Sequence, residues 1–302
     1  MLGTHIDRGV PTSTHHFIRA RLPWVAAGII LVALSLRGPI IAPTPVITNI
    51  QADTGLSSVA AGLLTGLPVF LFAVVTAAYS AALNVGSMIT APSSRRTAEA
   101  PAEMLPPAEP DTAHATGRVR RIGWLLALAF CGQAMAYYSV TAWLPALLAD
   151  TRGLSLASSG ASASLFQVAA VIGAFGMPLL AARAPAWVPV ALIGALWITL
   201  PIGLMLAPGW FIAWSLIGGA AQGGGFTAIF SIVARAARSS AEAARMSARV
   251  QGIGYLAATI GPPLAGGLNT ATGTWTAPLL LVLAATVVFT VGGVLAAFRA
   301  RP

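Results

Sequence analysis

The sequence predicts an all-α integral membrane protein with about eight transmembrane helices, and three observations support that fold class. Only 8% of the 302 residues are charged, whereas 57% are hydrophobic. The mean hydropathy is +0.81. A soluble globular domain has roughly 25% charged residues, so this composition excludes that class. The apolar stretches are continuous, whereas the strands of outer-membrane barrels alternate in polarity.

Eight apolar stretches are long enough to cross a bilayer, which requires about 20 residues in a helix. They cover residues 24–45, 58–83, 123–148, 157–181, 188–207, 210–234, 250–268 and 275–298. These stretches predict four regions along the chain. They are a cytoplasmic tail at 1–23, an incomplete N-terminal helical half of two spans at 24–90, a disordered cytoplasmic linker at 91–121 and a C-terminal six-helix half at 122–300.

The net charge of +9 comes from arginine, because the chain contains no lysine. If the N-terminus is cytoplasmic, every arginine except Arg37 and Arg152 falls in a cytoplasmic segment or tail. Such an excess of basic residues on the cytoplasmic side is typical of multi-pass membrane proteins. The pattern predicts a plasma-membrane protein with both termini in the cytoplasm. It also removes the reason to expect nucleic acid as a partner.

A short motif occurs twice, as ADTGLS at Ala52–Ser57 and as ADTRGLS at Ala149–Ser155. Each copy joins an odd-numbered span to the next span on the outer face. The two copies therefore have the same orientation, which predicts a parallel internal repeat of the kind found in transporters built from two similar halves.

Several stretches together carry a family resemblance. They are Leu36–Pro39, Ala52–Gly62, Gly66–Pro68, Ala142–Pro145, Gly218–Phe226, Gln251–Leu256 and Gly273–Pro278. In these stretches the chain resembles the major facilitator superfamily, in the branch that contains cyanate and 2-nitroimidazole transporters. The resemblance covers about 22–83 and 122–300. It aligns the chain with spans one, two and seven to twelve of that family, so spans three to six are expected to be absent.

The resemblance implies a secondary active transporter that moves a small anionic or polar solute, cyanate-like or nitroheterocycle-like, by alternating access. An alternative of a different class stays open. The chain would then be a truncated, transport-incompetent membrane protein or a helical subunit of a larger assembly. In either case we expect the lipid bilayer as a partner, and the sequence leaves the oligomeric state open.

Arg37 is the first candidate for a substrate-binding residue, because it lies near the middle of the first predicted span. A charge at membrane depth costs roughly 3–10 kcal/mol and usually faces a partner or a wet cavity. All acidic residues and histidines lie outside the predicted spans, so a visiting anion is the natural partner. The structural alternative is that Arg37 caps a carbonyl at a helix break made by Gly38 and Pro39. The resemblance adds weight to the binding role, since the branch has an arginine at the matching place.

Uncharged polar residues inside the spans complete the predicted substrate-binding site. They are Gln133, Tyr137, Gln167, Gln222, Gln251 and Tyr255. Gln133 and Tyr137 are four residues apart, as are Gln251 and Tyr255, so each pair shares a helix face. The alternative for each residue is a hydrogen bond between helices, which contributes about 0.6 kcal/mol on average.

A second set of residues is predicted to serve packing and hinge motion. It consists of Gly38, Pro39, Gly223, Gly224 and Pro262. The glycine run lies in mid-span with no lysine after it, which disfavours a phosphate-binding loop. Pro262, followed by Pro263, predicts a bend in its helix. We find no catalytic constellation or metal-ligand spacing, so the sequence predicts a non-enzyme with no cofactor.

Overall fold

The part of the chain that the structure describes is a bundle of α-helices. The computed structural model describes residues 44–90 and 110–300. Its helices are α1 Ile47–Thr54, α2 Ser58–Thr90, α3 Pro110–Arg152, α4 Leu156–Ala181, α5 Trp187–Leu206, α6 Phe211–Ala236, α7 Ser240–Ala258, α8 Gly261–Thr272 and α9 Thr276–Arg299. Short 3-10 turns at Thr44–Val46 and Pro208–Trp210 precede α1 and α6. No strand occurs among the described residues, which confirms the predicted all-α class.

Six helical segments in the described part are long and apolar enough to cross a membrane. They are Ser58–Tyr79, Gly117–Arg152, Leu156–Ala181, Trp187–Leu206, Pro208–Ala236 and Thr276–Arg299. Each corresponds to one of the predicted spans. The first predicted span, 24–45, lies almost wholly outside the described residues. The fold is therefore that of a multi-pass helical membrane protein.

The predicted span at 250–268 is divided between two shorter helices. Helix α7 ends at Ala258 and α8 begins at Gly261, so the chain breaks at Thr259–Ile260. Pro262 and Pro263 occupy the first turn of α8, where a missing N–H is tolerated. Within one continuous helix the same residues would leave carbonyls of the preceding turn without their bonds. The two helices are thus joined by a two-residue turn at Thr259–Ile260, where the backbone angles stay in the right-handed helical region.

The described part of the predicted linker is helical. The sequence predicts disorder over 91–121, yet α3 begins at Pro110 and continues without interruption to Arg152. Proline suits the first helical position, and the alanines and arginines that follow it are good helix formers. Residues 91–109 of the predicted linker lie outside the described residues.

Helix α3 is the centre of the bundle. It packs most extensively against α9 and α7, and also contacts α6, α8 and α4. In its apolar stretch of 18 residues, 78% of the residues are buried within the protein, whereas in the corresponding stretch of α4 only 22% are. Helix α4 packs its buried side mainly against α6, and α2 packs against α7 and α8. Polar residues of α3 therefore lie in the interior of the bundle, with other helices around them.

The two copies of the repeated motif have the same local structure. Gly55 follows α1 with φ +70°, and Gly153 follows α3 with φ +64°. Glycine takes this left-handed conformation without steric cost and ends a helix there. The serine hydroxyl then caps the next helix in both copies. Ala60 N–H donates to Ser57 Oγ at 3.2 Å, and Ser158 N–H donates to Ser155 Oγ at 3.2 Å.

Candidate functional site

The charged residue of the predicted site lies outside the described residues, as do Gly38 and Pro39. The structure therefore reports on the uncharged side of the site. Thr44 comes seven residues after Arg37 and is 4% exposed. Its 3-10 turn contacts both α3 and α4. The turn at Thr44–Val46 therefore packs against the pair of helices that carries Tyr137 and Gln167.

Gln133 lies in the protein core and joins three helices. It is 0% exposed. Its Nε2 donates to the Gln222 carbonyl oxygen of α6 at 2.8 Å, and its Oε1 accepts from Trp197 Nε1 of α5 at 2.8 Å. Both ends of the amide are thus bonded within the protein. This geometry is that of the interhelical alternative.

Gln222 has the opposite character, because its buried amide lacks a hydrogen-bond partner. Both Nε2 and Oε1 are buried and unbonded among the described residues. The same holds for the hydroxyl of Ser215, which lies two helical turns earlier on the same face of α6. Buried polar groups normally have partners. Gln222 is therefore a polar group in the core that a water or a solute would satisfy.

Tyr137 and Gln167 belong to a short chain of hydrogen bonds between α3 and α4. The Tyr137 hydroxyl donates to Gln167 Oε1 at 3.3 Å, and Gln167 Nε2 donates to Thr141 Oγ1 at 2.9 Å. A small cleft lies beside this chain, lined among others by Thr44 and Ser164. Its volume of about 30 Å³ is that of one water molecule, so a larger solute would need this part of the bundle to open.

Tyr137 also belongs to a group of aromatic rings in contact, here named the aromatic cluster. Its members are Phe72, Phe130, Tyr137, Tyr138, Phe166, Phe226, Phe230 and Tyr255. Tyr255 of α7 meets Phe130 edge to face at a centroid distance of 5.0 Å. Tyr137 meets Tyr138 at 4.7 Å in the same manner. The cluster thus connects Tyr137 with Tyr255 across the bundle.

The side-chain hydrogen bond of Gln251 stays within its own helix and does not connect it to the aromatic cluster. Its Nε2 donates to the Ser247 carbonyl oxygen, one turn earlier on α7, at 3.4 Å. The side chain is half-buried. The i, i+4 spacing that relates Gln251 to Tyr255 therefore indicates a shared helix face and no more.

The glycines of α6 permit close contact between helices, in agreement with a packing role. A Cβ at Gly223 would overlap the Ala170 carbonyl oxygen of α4. A Cβ at Gly224 would lie 2.8 Å from Ile193 Cδ1 of α5. Without side chains at these positions, α6 can pack against both neighbours at once.

The helix break at Thr259–Ile260 is held by two other helices. Trp143 Nε1 of α3 donates to the Pro262 carbonyl oxygen at 2.8 Å. From α2, a Cβ at Gly62 would lie 2.6 Å from the backbone nitrogen of Pro263. A Cβ at Gly66 would lie 2.9 Å from the Thr259 carbonyl oxygen. Backbone therefore packs on backbone at the break.

Sequence reasoning missed several residues of this arrangement, although each left a signal. Thr141 follows Tyr137 by four residues and so shares its face. Trp197 lies in mid-span, where an indole N–H requires a polar partner. Gly62 and Gly66 have the spacing of a membrane helix-packing motif.

Replacing Gln133 by leucine is expected to destabilise the bundle by about 1–2 kcal/mol, because Trp197 Nε1 and the Gln222 carbonyl lose their partner. The measurement is unfolding in detergent micelles by heat or denaturant. Gln251→Leu is the matched control, since its bond lies within one helix, and we expect it to change stability by less than about 0.5 kcal/mol. Equal stability of the two variants would contradict the structural role of Gln133.

The described part of the bundle thus brings uncharged hydrogen-bond donors and acceptors together with aromatic rings.

No family model matches the chain. The chain is 31% identical over 160 residues to the 2-nitroimidazole transporter of Escherichia coli (strain K12), which covers 53% of this chain and 40% of the relative. It is 30% identical over 195 residues to the uncharacterized transporter YycB of Bacillus subtilis (strain 168), which covers 61% and 48%.

These two relatives confirm the predicted resemblance to transporters, one of which is named for 2-nitroimidazole. The chain spans less than half the length of each of them. The similarity and the helical fold together define a transporter-like, multi-pass membrane protein.

Proposed function

We propose that the chain is a secondary active transporter of the major facilitator type, which moves a small anionic or polar solute by alternating access. A cyanate-like anion or a nitroheterocycle is the proposed substrate class. Support comes from the two relatives named as transporters and from the multi-pass fold. In this proposal 24–90 is an incomplete N-terminal half and 122–300 is a six-helix C-terminal half.

The observation that carries the proposal is the meeting of the hydrogen-bond chain Tyr137–Gln167–Thr141 with the aromatic cluster. A nitroheterocycle has a flat π-system and a polar nitro group. The aromatic rings would stack on the π-system, and the hydroxyl and amide groups would form hydrogen bonds to the nitro group. Gln222 would add its unbonded amide. Tyr255 adjoins the proposed site through the aromatic cluster, whereas Gln133 and Gln251, also predicted from the sequence, are bonded between helices and within α7.

Arg37 supplies the positive charge in this proposal. An arginine fork binds planar anions through two parallel N–H donors. Thr44, seven residues further along the chain, lines the cleft beside Gln167. We propose that Arg37 acts together with the uncharged groups of the site, and that Gly38 and Pro39 open its helix near the arginine.

The helix break between α7 and α8 is the proposed hinge for alternating access, with Pro262 two residues after it, in the first turn of α8. Hinges in proteins are a few residues at element ends that absorb a change of backbone angles. Here α2 packs on the break through Gly62, so that motion of α2 would act directly on it. The packing glycines Gly223 and Gly224 would keep α4, α5 and α6 together as one body.

The proposed topology follows from the arginine distribution. Both termini are cytoplasmic in it, and the protein resides in the plasma membrane. The proposed partners are the solute and the bilayer, with no nucleic acid. The relatives are named transporters, which supports a protein that is not an enzyme.

Uptake of 2-nitroimidazole and of cyanate into proteoliposomes tests the proposal. We expect the wild-type chain to take up at least one of them, and Arg37→Ala to reduce uptake by about 10- to 100-fold, the range for a lost charge-assisted bond. Arg152→Ala is the control, because Arg152 is an exposed arginine at the end of α3, and it should leave uptake unchanged.

The outcomes separate two claims. Full uptake in the Arg37→Ala protein would overturn the binding role of Arg37 while leaving transport intact. Absence of uptake by the folded wild-type protein would overturn the transporter proposal and favour a transport-incompetent chain or a subunit of a larger assembly.

A further inference from the structure

An arginine-lined cleft lies at the end of the bundle where α3 enters its span and α6 ends. It has a volume of about 440 Å³ and is lined by Arg118, Val119, Ile122, Arg235, Ala236, Arg238 and Ala300. Its three arginines are exposed and come from two helices that are distant in sequence and from the loop after α6. The proposed solute site uses none of these residues.

Two of the arginines are oriented by bonds to helix ends. Arg118 Nε donates to the Arg299 carbonyl oxygen at the end of α9, at 2.8 Å. An Nη of Arg235 donates to the Ala181 carbonyl oxygen at the end of α4, at 3.4 Å. Each of these bonds uses one of the five N–H donors of a guanidinium group. The two guanidinium groups are thereby held near the cleft, and their remaining N–H groups can donate to an anion.

The carboxylate nearest in sequence to this cleft has another role. Glu242 Oε2 accepts from the Arg238 backbone N–H at 2.7 Å, and Ser239 Oγ accepts from the Glu242 N–H at 3.1 Å. This reciprocal pair caps the first turn of α7. Glu242 does not line the cleft. Among the side chains that the structure describes, the cleft therefore has three positive charges and no carboxylate in its wall.

The position of the cleft favours a lipid as its occupant. Trp187 and Phe298 stack at the same end of the bundle, with ring centroids 5.3 Å apart. Trp124, one to two turns further into α3 than Arg118, is 57% exposed. Tryptophan accumulates at the level of lipid headgroups because its ring is amphipathic. A phosphate held in the cleft would therefore leave acyl chains beside the apolar outer faces of the helices.

We propose that this cleft binds the phosphate of an anionic phospholipid, through Arg118, Arg235 and Arg238. Basic pockets between transmembrane helices are suited to such headgroups, and arginine forks match phosphate oxygens. The site would fix the depth of the bundle in the anionic leaflet. It requires a membrane-embedded bundle and does not depend on transport activity.

The test uses the full chain in a neutral detergent, with dioleoylphosphatidylglycerol, dioleoylphosphatidylcholine or inorganic phosphate added as the probe. Binding is followed by native mass spectrometry and by the melting temperature, which rises with a bound ligand by mass action. We expect phosphatidylglycerol to bind and stabilise, and phosphatidylcholine to do neither. Arg235→Gln combined with Arg238→Gln should weaken phosphatidylglycerol binding about tenfold or more.

Matched variants distinguish the cleft from general charge. Arg183→Gln removes a charge from the α4–α5 loop, outside the residues lining the cleft, and should leave the affinity within about twofold. Arg238→Gln alone is the variant for folding, since the described hydrogen bond of Arg238 involves its backbone. We expect the Arg238→Gln protein to fold normally and to bind phosphatidylglycerol several-fold more weakly than wild type.

Three results would overturn the proposal. One is equal binding of phosphatidylcholine and phosphatidylglycerol. Another is an equal loss of affinity in Arg183→Gln and Arg238→Gln, since binding would then follow total charge. The third is stabilisation by inorganic phosphate that matches phosphatidylglycerol and displaces it, which would assign the cleft to a soluble anion.

Discussion

Gly173→Ala is expected to destabilise the protein by about 1–3 kcal/mol, because α4 and α6 are in backbone contact at this position. A Cβ at Gly173 would overlap the Ala220 carbonyl oxygen and lie 2.8 Å from the Gly224 backbone nitrogen. Neither atom can move without shifting α6. The gain of up to about 1 kcal/mol that alanine brings to a helix is too small to offset this strain.

Gly176→Ala on the same helix is the control for Gly173→Ala. No atom lies within 4 Å of a Cβ built at Gly176. The substitution should therefore leave stability unchanged or raise it by the helix propensity of alanine. The measurement is thermal or denaturant-induced unfolding of both variants in the same micelles. A melting temperature for Gly173→Ala at or above that of Gly176→Ala would contradict the close packing of α4 on α6.

Gly62→Ala is expected to displace α2 from the helix break and to reduce both stability and uptake. Its new methyl group would meet the backbone of Pro262 and Pro263, at 2.6 Å from the Pro263 nitrogen. Overpacking against rigid backbone costs about 1–3 kcal/mol. Some uptake will be lost because less of the protein is folded. If the break is the hinge of alternating access, the uptake rate per folded molecule should fall as well.

Gly267→Ala is the matched control on the other side of the same contact. There the nearest atom to a new Cβ is Val59 Cγ2 at 3.2 Å, which belongs to a side chain that can adjust. We expect its unfolding free energy within about 1 kcal/mol of wild type, and near-normal uptake. Stability and uptake that are equal in Gly62→Ala and Gly267→Ala would contradict the role of the α2 contact.

Some features of the molecule could be predicted from local sequence because their causes are local. Apolar length gave six spans that the described structure contains as helices. The repeated motif indicated the turns at Gly55 and Gly153, since a helix end followed by a serine cap involves only neighbouring residues. Pro262 located the interruption of α7 and α8 to within a few residues.

Other features depended on which helix faces meet. The sequence placed Gln133 and Tyr137 on one face of α3, but in the bundle Gln133 contacts α5 and α6 while Tyr137 contacts Gln167 of α4. Helix α3 also extends back to Pro110, into a stretch for which composition favours disorder. Composition describes an average tendency, whereas a helix already anchored by its span can extend from it at little cost.

The sequence by itself determined that this protein is a multi-pass helical membrane protein, because the transfer of apolar residues into a bilayer depends on composition and length alone. It also determined the resemblance to transporters that the relatives confirm. Only the tertiary structure decided that Tyr137, Gln167 and Thr141 form one chain and that Gly62 packs on the break. Between helices in lipid no hydrophobic force selects the contact faces, so close packing and hydrogen bonds select them, and these require the whole bundle.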